Sequence, residues 1–294
     1  MSVIEIQNIT KDYGKGRGVF DVSFAVERGE VVGFLGPNGA GKTTAIRQLM
    51  GFIRPDRGRA EVLGMDCFAQ RDQVQARLGY LPGEIAFMED MTGTAFIRFI
   101  AQMKGMGDLA RARQLMEFLE LDGRGRIRRM SKGMKQKIGL VIAFMQDPDV
   151  LVLDEPTSGL DPLMQGKFVQ LISRAKKAGK TVLMSSHMFE EVEQTCDRVV
   201  IIKEGRVIAA EEMQHLRQSR TKVFLIDFAT AAEAERFCAG GAGRQLDGCR
   251  AVLRTSGRAD ALIKELAGYT VTELATRTQS LEELFMHYYG RGSK

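Results

Sequence analysis

Apolar and polar positions along the chain follow two different periods. VIEIQNITKDY (3–13) reads as a strand, and FDVSFAVERGE (20–30) alternates, with Phe20, Val22, Phe24 and Val26 on one face. That two-residue period predicts half-buried strands. EVVGFLG (30–36), VLVL (150–153), TVLMSS (181–186) and RVVIIKEG (198–205) are instead short, nearly unbroken apolar runs, as expected of parallel strands covered on both faces. Helical spacing appears in TTAIRQLMGFI (43–53) and again through residues 85–147, where Phe96, Ile97, Phe99 and Ile100 form an apolar face. Strands alternating with helices predict an α/β fold: a central sheet flanked by helices and interrupted by a helical insertion at 85–147.

Beyond residue 220 the texture changes. VFLIDF (223–228), RAVLRTS (250–256) and TVTELATRT (270–278) read as strands, with helices in EAERFC and ADALIKELAG between them. The glycine-rich stretch 239–248 reads as a loop. Ser280 and Glu283 have the spacing of a capping box, opening a last helix that would bury Leu281, Leu284, Phe285 and Tyr288. The expected organisation is therefore one domain at 1–220 and a smaller α/β accessory domain at 221–294.

Composition narrows the classes of function. With 44% hydrophobic residues in 294, the chain has material for a sizeable core and is not a disordered protein. It has 42 Lys and Arg against 37 Asp and Glu, a net charge of +5, which does not single out nucleic acid as a partner. No apolar run approaches the ~18 residues that cross a bilayer, and MSVIEIQNITKDYG lacks the pattern of a secretion signal. A cytoplasmic location is expected. Four scattered cysteines and three histidines are too few, and too widely spaced, for a disulfide framework or a zinc site.

The chemistry concentrates in two segments. GPNGAGKT (36–43) matches G-x-x-x-x-G-K-[ST] between an apolar strand and a helix, the context that a phosphate loop requires. Gly36, Asn38, Gly39, Ala40 and Gly41 would turn backbone N–H groups toward phosphate oxygens, with Pro37, which has no N–H, shaping the same nucleotide-binding loop. Lys42 would reach the terminal phosphates, and Thr43, followed by Thr44, would offer a hydroxyl to Mg²⁺. DVLVLDEP (149–156) ends a buried strand on two acids: Asp154 suits a magnesium ion, and Glu155 suits the base that deprotonates an attacking water. ATP and Mg²⁺ are the expected cofactors.

MSKGMKQKIGL (130–140), SGLD (158–161) and His187 after a strand complete an ordered set. Phosphate loop, Ser-x-Gly signature, Asp-Glu strand, SGLD loop and strand with His, in that order, resemble ATP-binding cassette ATPases over about residues 1–215. The resemblance implies a P-loop NTPase cassette with a central mixed sheet and a helical subdomain. In that family two cassettes sandwich two ATP molecules, so Ser131 and Gly133 would serve the nucleotide bound by the other copy. Tyr13 stands where an aromatic stacks on adenine, and His187 matches the histidine that contacts the γ-phosphate. Two departures stand out. Lys132 replaces the first glycine of the signature, and Gly83 occupies the usual glutamine position in YLPGE, with Glu84 next to it as a further candidate for the metal. The whole is similar to ATPase subunits of drug, lantibiotic and multidrug exporters. It implies a separate membrane permease and a second ATPase subunit, identical or paralogous, at the inner face of the membrane. The alternative is a soluble cassette ATPase in translation or DNA maintenance. The basic run 124–137 lacks interleaved aromatics, so no nucleic acid is expected.

Overall fold

The structure is a computed structural model that describes residues 2–218, 222–241, 244–255, 259–280 and 282–283. The chain divides into two units, Met1–Met213 and Gln214–Lys294. In the first, β1 (Ser2–Asp12) and β2 (Gly18–Glu27) precede β3 (Val31–Leu35) and α1 (Lys42–Leu49). β4 (Arg57–Val62), β5 (Met65–Asp66), α2 (Arg71–Arg77) and β6 (Leu78–Leu81) lead into the helical subdomain, α3 (Gly93–Met103), α4 (Ala110–Phe118) and α5 (Lys132–Phe144). The chain returns through β7 (Val150–Asp154), α6 (Pro162–Lys177), β8 (Thr181–Ser186), α7 (Phe189–Thr195), β9 (Arg198–Lys203) and β10 (Arg206–Glu212).

The central sheet is mixed, with strand order β10-β9-β3-β8-β7-β6. β3 runs parallel to β8 and β9, β7 runs parallel to β6 and β8, and only β10 is antiparallel. Every residue of β3, β7 and β8 is buried, which is why these strands read as continuous apolar runs rather than alternations. A second, antiparallel sheet, β2-β1-β4-β5, packs its Ile4, Ile6, Ile9, Val22 and Val26 into the same core. Its alternation is broken by bulges between β1 and β2, so Val22 and Val26 are fully buried while Phe20 and Phe24 stay half-exposed. In the helical subdomain Thr92 caps α3 by accepting the Ala95 N–H at 3.2 Å. Phe96 and Ile97 are buried there, and Phe99 and Ile100 are half-buried.

α8 (Met213–Gln218) leads into the second unit, built as β11 (Lys222–Phe228), α9 (Ala231–Ala239), β12 (Arg244–Asp247), β13 (Arg250–Thr255), α10 (Ala259–Leu266) and β14 (Val271–Thr278). Its sheet order is β12-β13-β11-β14, antiparallel throughout. Phe224, Ile226, Phe228, Phe237, Leu262 and Leu266 form a separate core, with Phe228, Phe237 and Tyr269 ring centroids 5.3–5.7 Å apart. The stretch 239–248, expected as a loop, contains strand β12. Leu246 pairs with Ala251 of β13 across a turn in which Gly248 takes φ 62°. Four residues are too few to show a period of two, and the strand exists because β13 supplies its hydrogen bonds. The Ser280–Glu283 box has both of its bonds: Glu283 N–H to Ser280 Oγ at 3.1 Å and Ser280 N–H to Glu283 Oε2 at 3.3 Å. Leu281, Leu284, Phe285 and Tyr288 lie outside the described residues.

Candidate nucleotide site

The strand order brings distant segments together. β3, β8 and β7 are neighbours, and the phosphate loop, the His187 turn and the Asp154–Glu155 pair follow their carboxyl ends, where open α/β sheets bind ligands. Gly36 N–H donates to Ser186 O at 3.3 Å, tying the first two ends together. Gly41 turns the loop into α1 at φ 107°, and a methyl group there would meet Val19 Cγ1 at 2.7 Å, so the turn needs a residue without a side chain. α1 opens with Lys42 and has no acid in its first turn; its free N–H groups and positive dipole end favour an anion. Lys42 is 5% exposed. Its ammonium donates to Gly36 O at 2.6 Å and Pro37 O at 3.2 Å, and lies 3.1 Å from Glu155 Oε1.

Asp154 is fully buried. Its Oδ1 accepts the Ser185 hydroxyl, while Oδ2 has no hydrogen-bond partner among the described residues. An unpaired buried carboxylate oxygen is costly, and here it points to a cation. Gly83 faces that oxygen: a Cβ at position 83 would sit 3.0 Å from Asp154 Oδ2. Glu84, the sequence candidate, is exposed one residue further on, and it is Gly83 that borders this unpaired oxygen. The Asp154 charge also reaches Tyr80, whose phenol is pushed up to about 12 by burial first and by that charge second.

Glu155 holds a left-handed backbone, φ 50°, a strained conformation that surrounding bonds must enforce. Its N–H donates to Ser185 Oγ at 3.0 Å. Gln136 Nε2, from α5, donates to Glu155 O at 3.1 Å and Pro156 O at 2.9 Å. The carboxylate is thereby aimed at two side chains: Oε1 at the Lys42 ammonium and Oε2 at His187 Nδ1, 2.6 Å away. Gln136 and Ser185 are functional neighbours that motif reading passes over. The signal was present, since Gln136 shares the buried stripe of α5 with Gly139, Leu140 and Ala143, where a polar group needs a specific partner.

Most of the remaining expected residues lie at or near the surface. Tyr13 is 50% exposed. Pro37, Asn38 and Gly39 are exposed, Ala40 is buried, and Thr43 and Thr44 are half-buried. Ser131 is exposed and caps α5, accepting the Met134 N–H at 3.2 Å. The signature lies on the SGLD loop of its own chain: a Cβ on Gly133 would stand 2.7 Å from Gly159 O, and a Cβ on Gly159 would stand 2.8 Å from Lys132 Cγ. In the basic run, Arg124, Arg128 and Lys135 pair with Asp122, Asp90 and Glu89.

These residues fit a magnesium nucleotide. At the two ends of the loop Gly36 and Gly41 leave no room for a Cβ, which would clash with Ile202 O at the first and meet Val19 Cγ1 at 2.7 Å at the second, and Asp154 Oδ2 is a buried acceptor with no partner among the described residues. Among the described residues no group of three or more His, Cys, Asp or Glu could hold a metal.

The family profile described as "ABC transporter" matches residues 19–158. An ABC transporter ATP-binding protein of Synechocystis sp. is 36% identical over 223 residues, 71% of this chain but only 62% of that protein's own length. The bacitracin transport ATP-binding protein BcrA of Bacillus licheniformis is 30% identical over 99% of both chains. The solved structure of an ATP-binding subunit of an ABC transporter superposes with a TM-score of 0.68 at 30% identity, covering 74% of this chain and 92% of that one. The site's acids, lysine and histidine thus sit on a cassette fold in a chain that aligns over 99% of its length with a transport ATP-binding protein, and the protein belongs to the ATP-binding cassette (ABC) transporter family.

Proposed function

We propose that this chain is the ATP-hydrolysing subunit of an exporter. It would work at the cytoplasmic face of a membrane, paired with a second ATPase subunit and coupled to a separate permease. One observation carries the chemistry: Lys42 and His187 converge on the two oxygens of Glu155. Arrival of the ATP phosphates gives Lys42 and His187 a better anion than the carboxylate, and drawing them off leaves Glu155 free to accept a proton. Water then attacks the γ-phosphorus as Glu155 takes its proton, and the bond to the ADP oxygen breaks. Thr43 and Asp154 would hold magnesium, which would supply charge neutralisation of the phosphates. Tyr13, half-exposed at the end of β1, has a face open to adenine.

Three features support the transport role and the pairing. Similarity to the bacitracin transport protein runs through the second unit as well as the cassette. Among the described residues no helix is long and apolar enough to cross a membrane, so the path for a substrate would lie in another chain. Ser131 and Gly133 sit on an exposed helix start whose hydroxyl bonds α5 itself, leaving the signature available to a nucleotide on a second subunit. The test is Glu155→Gln, which keeps the shape and removes the base. ATP binding should persist, hydrolysis should fall by about 100-fold or more, and a nucleotide-bound dimer should accumulate in size-exclusion chromatography. Near-normal turnover would reject Glu155 as the base.

A further inference from the structure

Next to the hydrolytic array lies a buried acid that the chemistry above does not use. Glu191, in the first turn of α7, is 7% exposed, and no lysine or arginine pairs with it among the described residues. An acid is among the most expensive residues to bury without a cation, so its place needs a reason beyond packing. We propose that Glu191 is a positioning residue for ATP hydrolysis, acting through Ser186 to fix the turn that presents His187 to Glu155.

The geometry runs through the last two residues of β8. Successive side chains of a strand point to opposite faces, and Ser185 and Ser186 serve different partners accordingly. Ser185 binds Asp154 and the Glu155 N–H. Ser186 donates its hydroxyl to Glu191 Oε2 at 2.5 Å and accepts the Met188 N–H at 2.9 Å. The Glu191–Ser186–Met188 bridge therefore closes over His187, fastening the residue before it to the residue after it. His187 itself is nearly half-exposed and is held at its ring by Glu155, 2.6 Å from Nδ1. Once phosphate competes for the imidazole, the bridge is what keeps the ring in reach of both groups. Glu191 also neighbours the Thr157 hydroxyl, on the segment between Glu155 and the SGLD loop. The charged groups facing it are Glu155 and His187.

The proposal rests on the assignment of Glu155 and His187 to hydrolysis, which Glu155→Gln tests by itself. Steady-state ATP hydrolysis by the full chain separates the two. Glu191→Ala should lower kcat by about tenfold while leaving KM for ATP within about twofold, because the phosphate loop is untouched. Glu191→Gln, whose carboxamide oxygen still accepts the Ser186 hydroxyl, should restore kcat to within about threefold of wild type. Ser186→Ala should mimic Glu191→Ala, and the double variant should be no slower than the slower single one. If Glu191→Ala fails to fold, Ser186→Ala carries the same expectation. Wild-type kcat in either alanine variant overturns the proposal, and so does equal loss in the alanine and glutamine variants. If Glu155→Gln still hydrolyses ATP, the underlying assignment falls instead.

Discussion

At the scale of single residues, Glu191 also has a consequence for stability. Burial pushes its carboxyl from the ordinary 4.5 up to about 7, against the opposing pull of the Ser186 and Thr157 hydroxyls. An acid whose folded pKa exceeds its unfolded one binds its proton more tightly in the native state. Its penalty is absent below about 4.5, grows as pH rises to about 7, and is constant above that. Glutamine carries no such penalty. Comparing urea unfolding of Glu191→Gln and wild type, the difference in stability should move in the variant's favour by up to about 3 kcal/mol between pH 4.5 and 8. A difference that does not change with pH would show that the acid is not buried in solution. Lys42 obeys the opposite logic, being a buried cation already balanced by Glu155 and two carbonyls. Lys42→Ala removes a charge from the phosphates, so it should weaken ATP affinity by about tenfold or more in a nucleotide titration. Unchanged affinity would remove Lys42 from the phosphate site.

At the scale of elements, α5 joins the two halves of the chemistry. Its buried Gln136 grips the backbone at Glu155 and Pro156, while its first turn, with Ser131 as cap, lies on the SGLD loop. Ser131→Arg should therefore abolish hydrolysis and leave ATP binding by the single subunit largely intact, since the side chain lies on an exposed helix start. Loss of binding and hydrolysis together would mean that Ser131 serves its own chain's site or its fold. The sequence made some of these elements legible and hid others, for physical reasons. β3, β7 and β8 announce themselves because burial on both faces demands unbroken apolar runs, and the phosphate loop does so because its turn demands glycines at fixed spacing. β4 and β5 carry Arg57, Gly58, Arg59 and Asp66 and stand as strands through their pairing with β1 and each other. β12 likewise depends on β13. Ser185 and Glu191 act through tertiary hydrogen bonds, which no local spacing records, whereas Gln136 is marked only by its place in the buried stripe of α5.

At the scale of the whole molecule, the proposed role in transport requires that nucleotide binding reach a membrane partner. β6 ends beside the chemistry, where Gly83 borders Asp154, and the chain then runs outward through Met88 and Met91 before entering α3. Met88 is 50% exposed and Met91 half-buried, and the two are joined by a turn in which Met91 N–H donates to Met88 O at 3.0 Å. Near the start of this segment Tyr80 packs edge-on against Phe52, which is itself 53% exposed. A segment that starts beside Asp154 and ends in one exposed and one half-buried unbranched apolar side chain is suited to grip a short helix of the proposed permease and to move it when the nucleotide binds. Met88→Asp with Met91→Asp places charges on that surface and leaves the phosphate loop alone. The double variant should remain folded and bind ATP like the wild type, yet fail to co-purify with the permease or to support transport in vesicles. Retention of both would place the docking surface elsewhere on the cassette.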